Sequence, residues 1–210
     1  MSLMITVGFL SYQNNSLPGF LRKPRGLAIA PIAETALAGQ APDALRVLLI
    51  PADIDQRLFA TNQPWLRAFF KAGGTLVFNG LLAHPFLDEL RPFVPLPKRG
   101  REDLRVRKVA DHPVFAGVAD DDLSLRRGVA GFYGRGANPP PAGARVLAVV
   151  GDAPAERMPL DWEWTPPEGG RLLMHAGNNL WMHQDDPTSA ARIAPQLLDW
   201  CRSLGSEEAR

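Results

Sequence analysis

Residues 45–80 read LRVLLIPADIDQRLFATNQPWLRAFFKAGGTLVFNG, and this stretch decides the fold. Leu45, Val47, Leu48, Leu49 and Ile50 make a short apolar run closed by Pro51. A strand covered on both faces in a parallel sheet has this appearance. Asn62 offers a helix cap, Trp65, Leu66, Phe69 and Phe70 recur at helical spacing, and Gly73 and Gly74 end the helix. A second apolar run, Thr75 to Phe78, follows at once. Strand, helix and strand of these lengths predict a right-handed βαβ unit, whose ligand crevice lies beyond the carboxyl ends of its strands. Asp53 and Asp55 follow the first strand, Asn79 and Gly80 the second.

On the amino-terminal side, Ile5 to Leu10 reads as the first core strand, and the polar, Pro/Gly-punctuated residues 11–26 as a long loop at its carboxyl end. Pro31 to Ala38, with proline at a first helical position and Gly39 as the stop, predicts a short helix. Beyond Gly80, a turn or short helix is expected at Leu87–Leu90, and the Arg/Lys-dense residues 98–109 form a solvated excursion diluted by Glu102 and Asp103. Arg145–Val150 predicts a buried strand, Met158–Trp164 a strand half open to water, and Arg171–Ala176 a further buried strand. Thr188 or Ser189 caps a last helix that turns Ile193, Leu197, Leu198, Trp200 and Cys201 inward. The prediction is an α/β flavodoxin-like three-layer sandwich with a mostly parallel central sheet, elaborated by loops and extra strands in the second half. Residues 4–204 form one domain and 205–210 a frayed tail.

Composition narrows the function classes. A chain of 210 residues with 46% apolar content supports one elaborated domain with a sizeable core. The formal net charge of +1 argues against a general nucleic-acid binder or a partner of acidic membranes. The lone Cys201 rules out an internal disulfide and a cysteine-based zinc site, which suits a reducing cytoplasm. The amino-terminal apolar run lacks a basic flank and is far too short to span a bilayer, so a cytoplasmic location is expected.

The order of these pieces, with DHPVFAGV at 111–118 and Glu168-Gly169-Gly170-Arg171-Leu172 opening a late strand, resembles the class I glutamine amidotransferase-like superfamily. Within it the chain looks most like the ThuA-like, trehalose-utilisation branch. In catalytic members of that superfamily, a phrase of the type GG-x-x-x-G-x-C-x-G-x-Q carries the nucleophilic cysteine on a sharp strand-to-helix turn. Laying GGTLVFNGLLAH, residues 73–84, on that phrase places Gly80 where the cysteine would stand. Without a thiolate no glutamyl thioester forms, and Cys201, in the last helix, reads as an inert packed thiol. The resemblance therefore implies a fold without glutaminase chemistry.

If the sheet is parallel, the turns after its strands gather Gln13, Asn14, Asp53, Asp55, Asn79, His84, Asn178, Asn179 and His183 at one edge. Carboxylates, amides and imidazoles suit the hydrogen bonding of a sugar or another polyol, and Trp181 or Tyr12 offers it a flat face. The same residue types also make turns and caps, and Asp53 and Asp55 are read first in that way. His112 is a turn residue before Pro113, and His175, inside an apolar strand, is a core histidine. The tryptophans at 162, 164, 181 and 200 fill space between sheet and helices. A metal would need residues such as Asp53, His84, His183 and Asp185 to converge; no metal-binding, phosphate-cradling or serine-elbow motif is present, and neither metal nor cofactor is expected. The resulting expectation is a noncatalytic, nucleophile-lacking domain that binds a small polar ligand such as a carbohydrate, or supports assembly with a copy of itself or another protein. The alternative is a sugar-modifying enzyme using Asp53, His84 or His183 as acid, base or metal ligand.

Overall fold

The computed structural model describes residues 5–12 and 17–207. Eight strands form the central sheet: β1 (Thr6–Ser11), β2 (Ala28–Ala33), β3 (Val47–Ile50), β4 (Thr75–Asn79), β5 (Val106–Lys108), β6 (Arg145–Val150), β7 (Met158–Trp164) and β8 (Arg171–His175). Their spatial order is β2-β1-β3-β4-β8-β7-β6-β5. The first five in that order run parallel, and β7, β6 and β5 extend the sheet by successive antiparallel pairings. Helices α1 (Gln56–Ala60), α2 (Gln63–Lys71), α3 (Asp120–Ser124) and α4 (Ile193–Glu207) flank it. This is a mixed α/β architecture consistent with a flavodoxin-like three-layer sandwich.

The unbroken apolar run of β3 is explained by burial on both faces. Val47 and Leu49 point into one cluster with Ile193, Leu197 and Leu204 of α4, while Leu48 and Ile50 point into the other with Leu66, Phe69 and Phe70 of α2. Each of these α2 side chains is wholly buried, which stabilises the fold by roughly 1.5–3 kcal/mol apiece relative to exposure. Cys201 is also wholly buried, and burial pushes its thiol up to about 12, as befits an inert packed group.

Several expectations need correction. The helix between β3 and β4 is two helices, and Asn62 holds the N-cap position of the second without a side-chain cap bond. Asp55 caps α1, its Oδ1 accepting from Arg57 N at 3.0 Å and Leu58 N at 3.2 Å. Asn62 instead turns back, its Nδ2 donating to Leu58 O at 3.0 Å. Residues 31–38 are not one helix: Pro31 lies inside β2, and a 3-10 turn, Glu34–Gly39, follows. Since β2 is the edge strand, a missing N–H is tolerated there. Strand β7 is not half open to water, because β6 and β8 hold it between them and helices and loops cover both its faces. Leu160, Asp161 and Trp162 are all wholly buried. Neither Thr188 nor Ser189 caps α4 directly; a 3-10 turn, Ser189–Arg192, precedes it, and Ser189 bonds through both N and Oγ to the Asp122 carboxyl. Helix α4 itself continues to Glu207.

The tryptophans at 162, 164, 181 and 200 are all at least nine-tenths buried. Their role is to fill space between layers, and Trp162 satisfies its Nε1 on Asn138 O at 2.8 Å. Among the described residues, no helix is long and apolar enough to cross a membrane.

Candidate functional site at the carboxyl edge of the sheet

The long excursion between β4 and β8 brings residues 131–138 over the carboxyl ends of the parallel strands. Gly80, the first residue after β4, is the pivot. Its φ of 121° is one that side-chain-bearing residues rarely adopt, and a Cβ there would stand 3.2 Å from Ala52 Cα. Its N–H donates to His175 O at 3.1 Å and its carbonyl accepts from Asn138 Nδ2 at 2.9 Å. Asn138, wholly buried, also accepts from Leu82 N at 2.9 Å. The turn therefore has no nucleophile, and its amide is already committed and offers no donor to a developing oxyanion.

Asparagines hold the surrounding turns together. Asn79, with no exposed surface, donates to Ile50 O at 2.8 Å and accepts from Leu180 N at 2.9 Å, tying the ends of β3, β4 and β8. Asn179 Oδ1 accepts from Ala52 N at 2.8 Å. Asn178 is exposed and donates to Phe132 O at 2.8 Å. Between these turns and the excursion lies a cleft of about 460 Å³ bordered by Ala52, Gly80, Gly131, Gly134, Gly177 and Asn178. Arg135 supplies the charged side chain of its lining and is exposed, its Nε donating to Gly131 O at 2.9 Å.

Of the residues expected at this edge, Asn178 borders the cleft, and Asn79 and Asn179 brace it. Gln13 and Asn14 lie outside the described residues. Asp55 is occupied in capping α1, and Asp53 is exposed on the same turn. Beside them Glu34 is buried, accepting from Asp55 N at 3.0 Å; burial, with the neighbouring Asp55 and Asp53 charges, raises its pKa above the ordinary carboxylate value. His84 is exposed and accepts at Nε2 from Arg57 Nε at 3.3 Å. His183 is buried with its ring 6.1 Å from that of Tyr133: its Nδ1 lies 3.0 Å from Asp186 Oδ2, which also accepts from Arg126 Nε at 2.7 Å. Burial holds His183 below the usual imidazole range despite the Asp186 carboxyl. Asp186 lies below its own usual range, because the bonds from Arg126 and His183 outweigh the upward push of burial. His84 and His183 thus take separate partners. Among the described residues no three His, Cys, Asp or Glu side chains gather as a metal site.

The chain matches no protein-family model and no curated protein.

Tyr133 and Asp161, which the sequence did not single out, join His175, expected as a core histidine and buried as one, in a compact polar group near the cleft. Tyr133, Asp161 and His175 are buried to 99% or more. His175 Nδ1 lies 2.5 Å from Asp161 Oδ1, and Tyr133 Oη donates to Asp161 Oδ2 at 2.9 Å. Burial, and then the Asp161 carboxyl, push the Tyr133 hydroxyl well above its usual value, so it remains a donor. One signal was available: Asp161 sits between Leu160 and Trp162 in the strand Met158–Trp164, and an acid drawn into a sheet needs a partner. The identity of that partner was invisible, since 14 residues separate it from His175.

Proposed function

We propose that this chain is a noncatalytic, nucleophile-lacking domain of the glutamine amidotransferase-like type that binds a small polar ligand in the cleft beside Gly80. The observation that carries this reading is the Gly80 turn. It stands at the carboxyl end of a central parallel strand, where ligands of open α/β sheets bind, yet its geometry excludes a side chain and its backbone groups are bonded internally. The adjacent cleft has the size of a small-molecule site, is lined by several glycines, and has Asn178 and Arg135 as adaptable polar contacts. A sugar-like, hydroxyl-rich ligand matches that lining. The enzyme alternative built on Asp53, His84 and His183 gains no support from the two histidines, which take separate partners.

Two measurements test the reading on the intact chain. Incubation with glutamine is expected to release no glutamate. Titration of the ¹⁵N-labelled chain with a panel of neutral sugars and sugar acids is expected to move the amide resonances of Gly131, Gly134 and Gly177. Glutamate release at enzymatic rates, or amide shifts confined to surfaces away from the cleft, overturns it.

A further inference from the structure

His175 ends β8, and Asp161 stands opposite it in register on β7. The Asp161 carboxyl accepts from Tyr133 on one oxygen and faces His175 Nδ1 with the other. Because a carboxyl oxygen accepts, this contact places an imidazole hydrogen on Nδ1, and in the neutral ring Nε2 is then an acceptor. That Nε2 has no hydrogen-bond partner, although the residue is only 1% exposed. Such an orphan is costly in a folded protein and marks a place where something else completes the bonding. Its surroundings are specific. A Cβ on Gly177 would stand 2.7 Å from Nε2, and Gly177 itself borders the cleft. Any side chain at 177 would also collide with the Tyr133 carbonyl, so a glycine separates the imidazole from the cleft for steric reasons. Tyr133 is flanked in sequence by Phe132 and Gly134, which line the same cleft.

The cleft therefore carries two different recognition elements: an acceptor nitrogen behind Gly177 and the Arg135 guanidinium in its lining. We propose that the ligand is a hydroxy carboxylate of the sugar-acid class, its carboxylate held by Arg135 and one hydroxyl donated past Gly177 to His175 Nε2. This rests on the reading of the cleft as a small-ligand site and adds the class of ligand to it. Arg135 pairs with a carboxylate through charge-assisted bonds, which a neutral polyol cannot match. The orphaned imidazole nitrogen requires a donor, which a simple carboxylate lacks. Tyr133 and Asp161 are positioning residues: they fix the tautomer and the ring. Entry of the hydroxyl requires the turn at Gly177 to give way, and the amide of that residue reports it.

The test is a titration of the intact ¹⁵N-labelled chain with D-gluconate, D-glucose and hexanoate. Gluconate is expected to bind at least about tenfold more tightly than either of the others, and to move both the cleft amides and the His175 Nε2 resonance. Hexanoate is expected to leave Nε2 in place. His175→Gln lowers gluconate affinity to that of hexanoate, and Arg135→Gln lowers it to that of glucose, with the amide spectrum verifying the fold of each variant. If His175→Gln does not fold, the wild-type Nε2 resonance still decides. Cleft amides that move with gluconate while Nε2 stays fixed overturn this inference and leave the cleft reading standing. Equal affinity for hexanoate and gluconate does the same. If none of the three probes moves a cleft amide, both readings fall.

Discussion

His175 and His183 invite comparison because they are alike in almost every local respect. Each is 99% buried, each faces a buried carboxyl through Nδ1, and each leaves Nε2 without a hydrogen-bond partner. Tyr133 packs near both rings, with centroid separations of 4.6 Å to His175 and 6.1 Å to His183. They differ in what completes the carboxyl. Asp161 takes a neutral hydroxyl from Tyr133, whereas Asp186 takes the Arg126 guanidinium, with Arg127 3.6 Å away. A cation already balances Asp186, so the His183 group reads as a lock between the 125–130 hairpin and the turn after β8. Among the described residues no Lys or Arg pairs with Asp161, and the hydrogen bonding of His175 and Tyr133 holds it in the sheet interior. The same residue pair is thus structural in one setting and available to a ligand in the other.

Removing the two carboxyls should separate the settings most strongly. Asp161→Ala leaves Tyr133 Oη and His175 Nδ1 unpaired in the sheet interior, an expected loss of about 3–5 kcal/mol. Urea unfolding followed by circular dichroism measures it. Asp186→Ala strands His183 in the same way, but the Arg126 side chain, 22% exposed, can rehydrate, so a smaller loss of about 1–3 kcal/mol is expected. Equal losses for the two variants would erase the distinction drawn between the pairs. Next in size is Tyr133→Phe, which removes one hydrogen bond but keeps His175 on Asp161; about 1 kcal/mol is expected from the same unfolding curves. A loss as large as that of Asp161→Ala would make Tyr133, not Asp161, the centre of the group.

The smallest effect is a pH dependence. Burial lowers the His183 pKa from its ordinary 6.5, so between that value and the folded one the unfolded chain binds a proton that the folded chain refuses. Stability from this residue is therefore full above pH 6.5 and is lost as pH falls through 6.5 towards the folded pKa. Glu163 and Asp186 share this sign, but both are held below their ordinary values of 4.5 and 3.8 and act at lower pH. Comparing unfolding free energies at about pH 7.5 and 5.5 in the native chain and His183→Gln isolates the contribution. The native chain should lose stability on acidification more steeply than the variant, and parallel slopes would refute it.

Much of the sheet was legible because its signals are local. The apolar runs of β3, β4, β6 and β8 and the helical spacing of α2 and α4 each lie within one stretch of chain, where period and burial coincide. Strand β2 was missed because its proline and alanines imitate a helix start, and only its place at the sheet edge makes proline acceptable there. At the site, Gly80 and Asn178 were legible from their positions after strands. Asp55 took the capping role its residue type favours.

What the sequence determined by itself, then, is a parallel α/β core whose pivotal turn bears Gly80, a residue without a nucleophile. That conclusion needs only the identity of one residue after one strand. The tertiary structure alone decided which polar groups meet at that edge. Register placed Asp161 opposite His175, the excursion delivered Tyr133 and Arg135, and a glycine at 177 left the imidazole close behind the cleft. Such meetings join residues remote in the chain, and they are set by strand pairing and loop packing, for which residue spacing carries no signal.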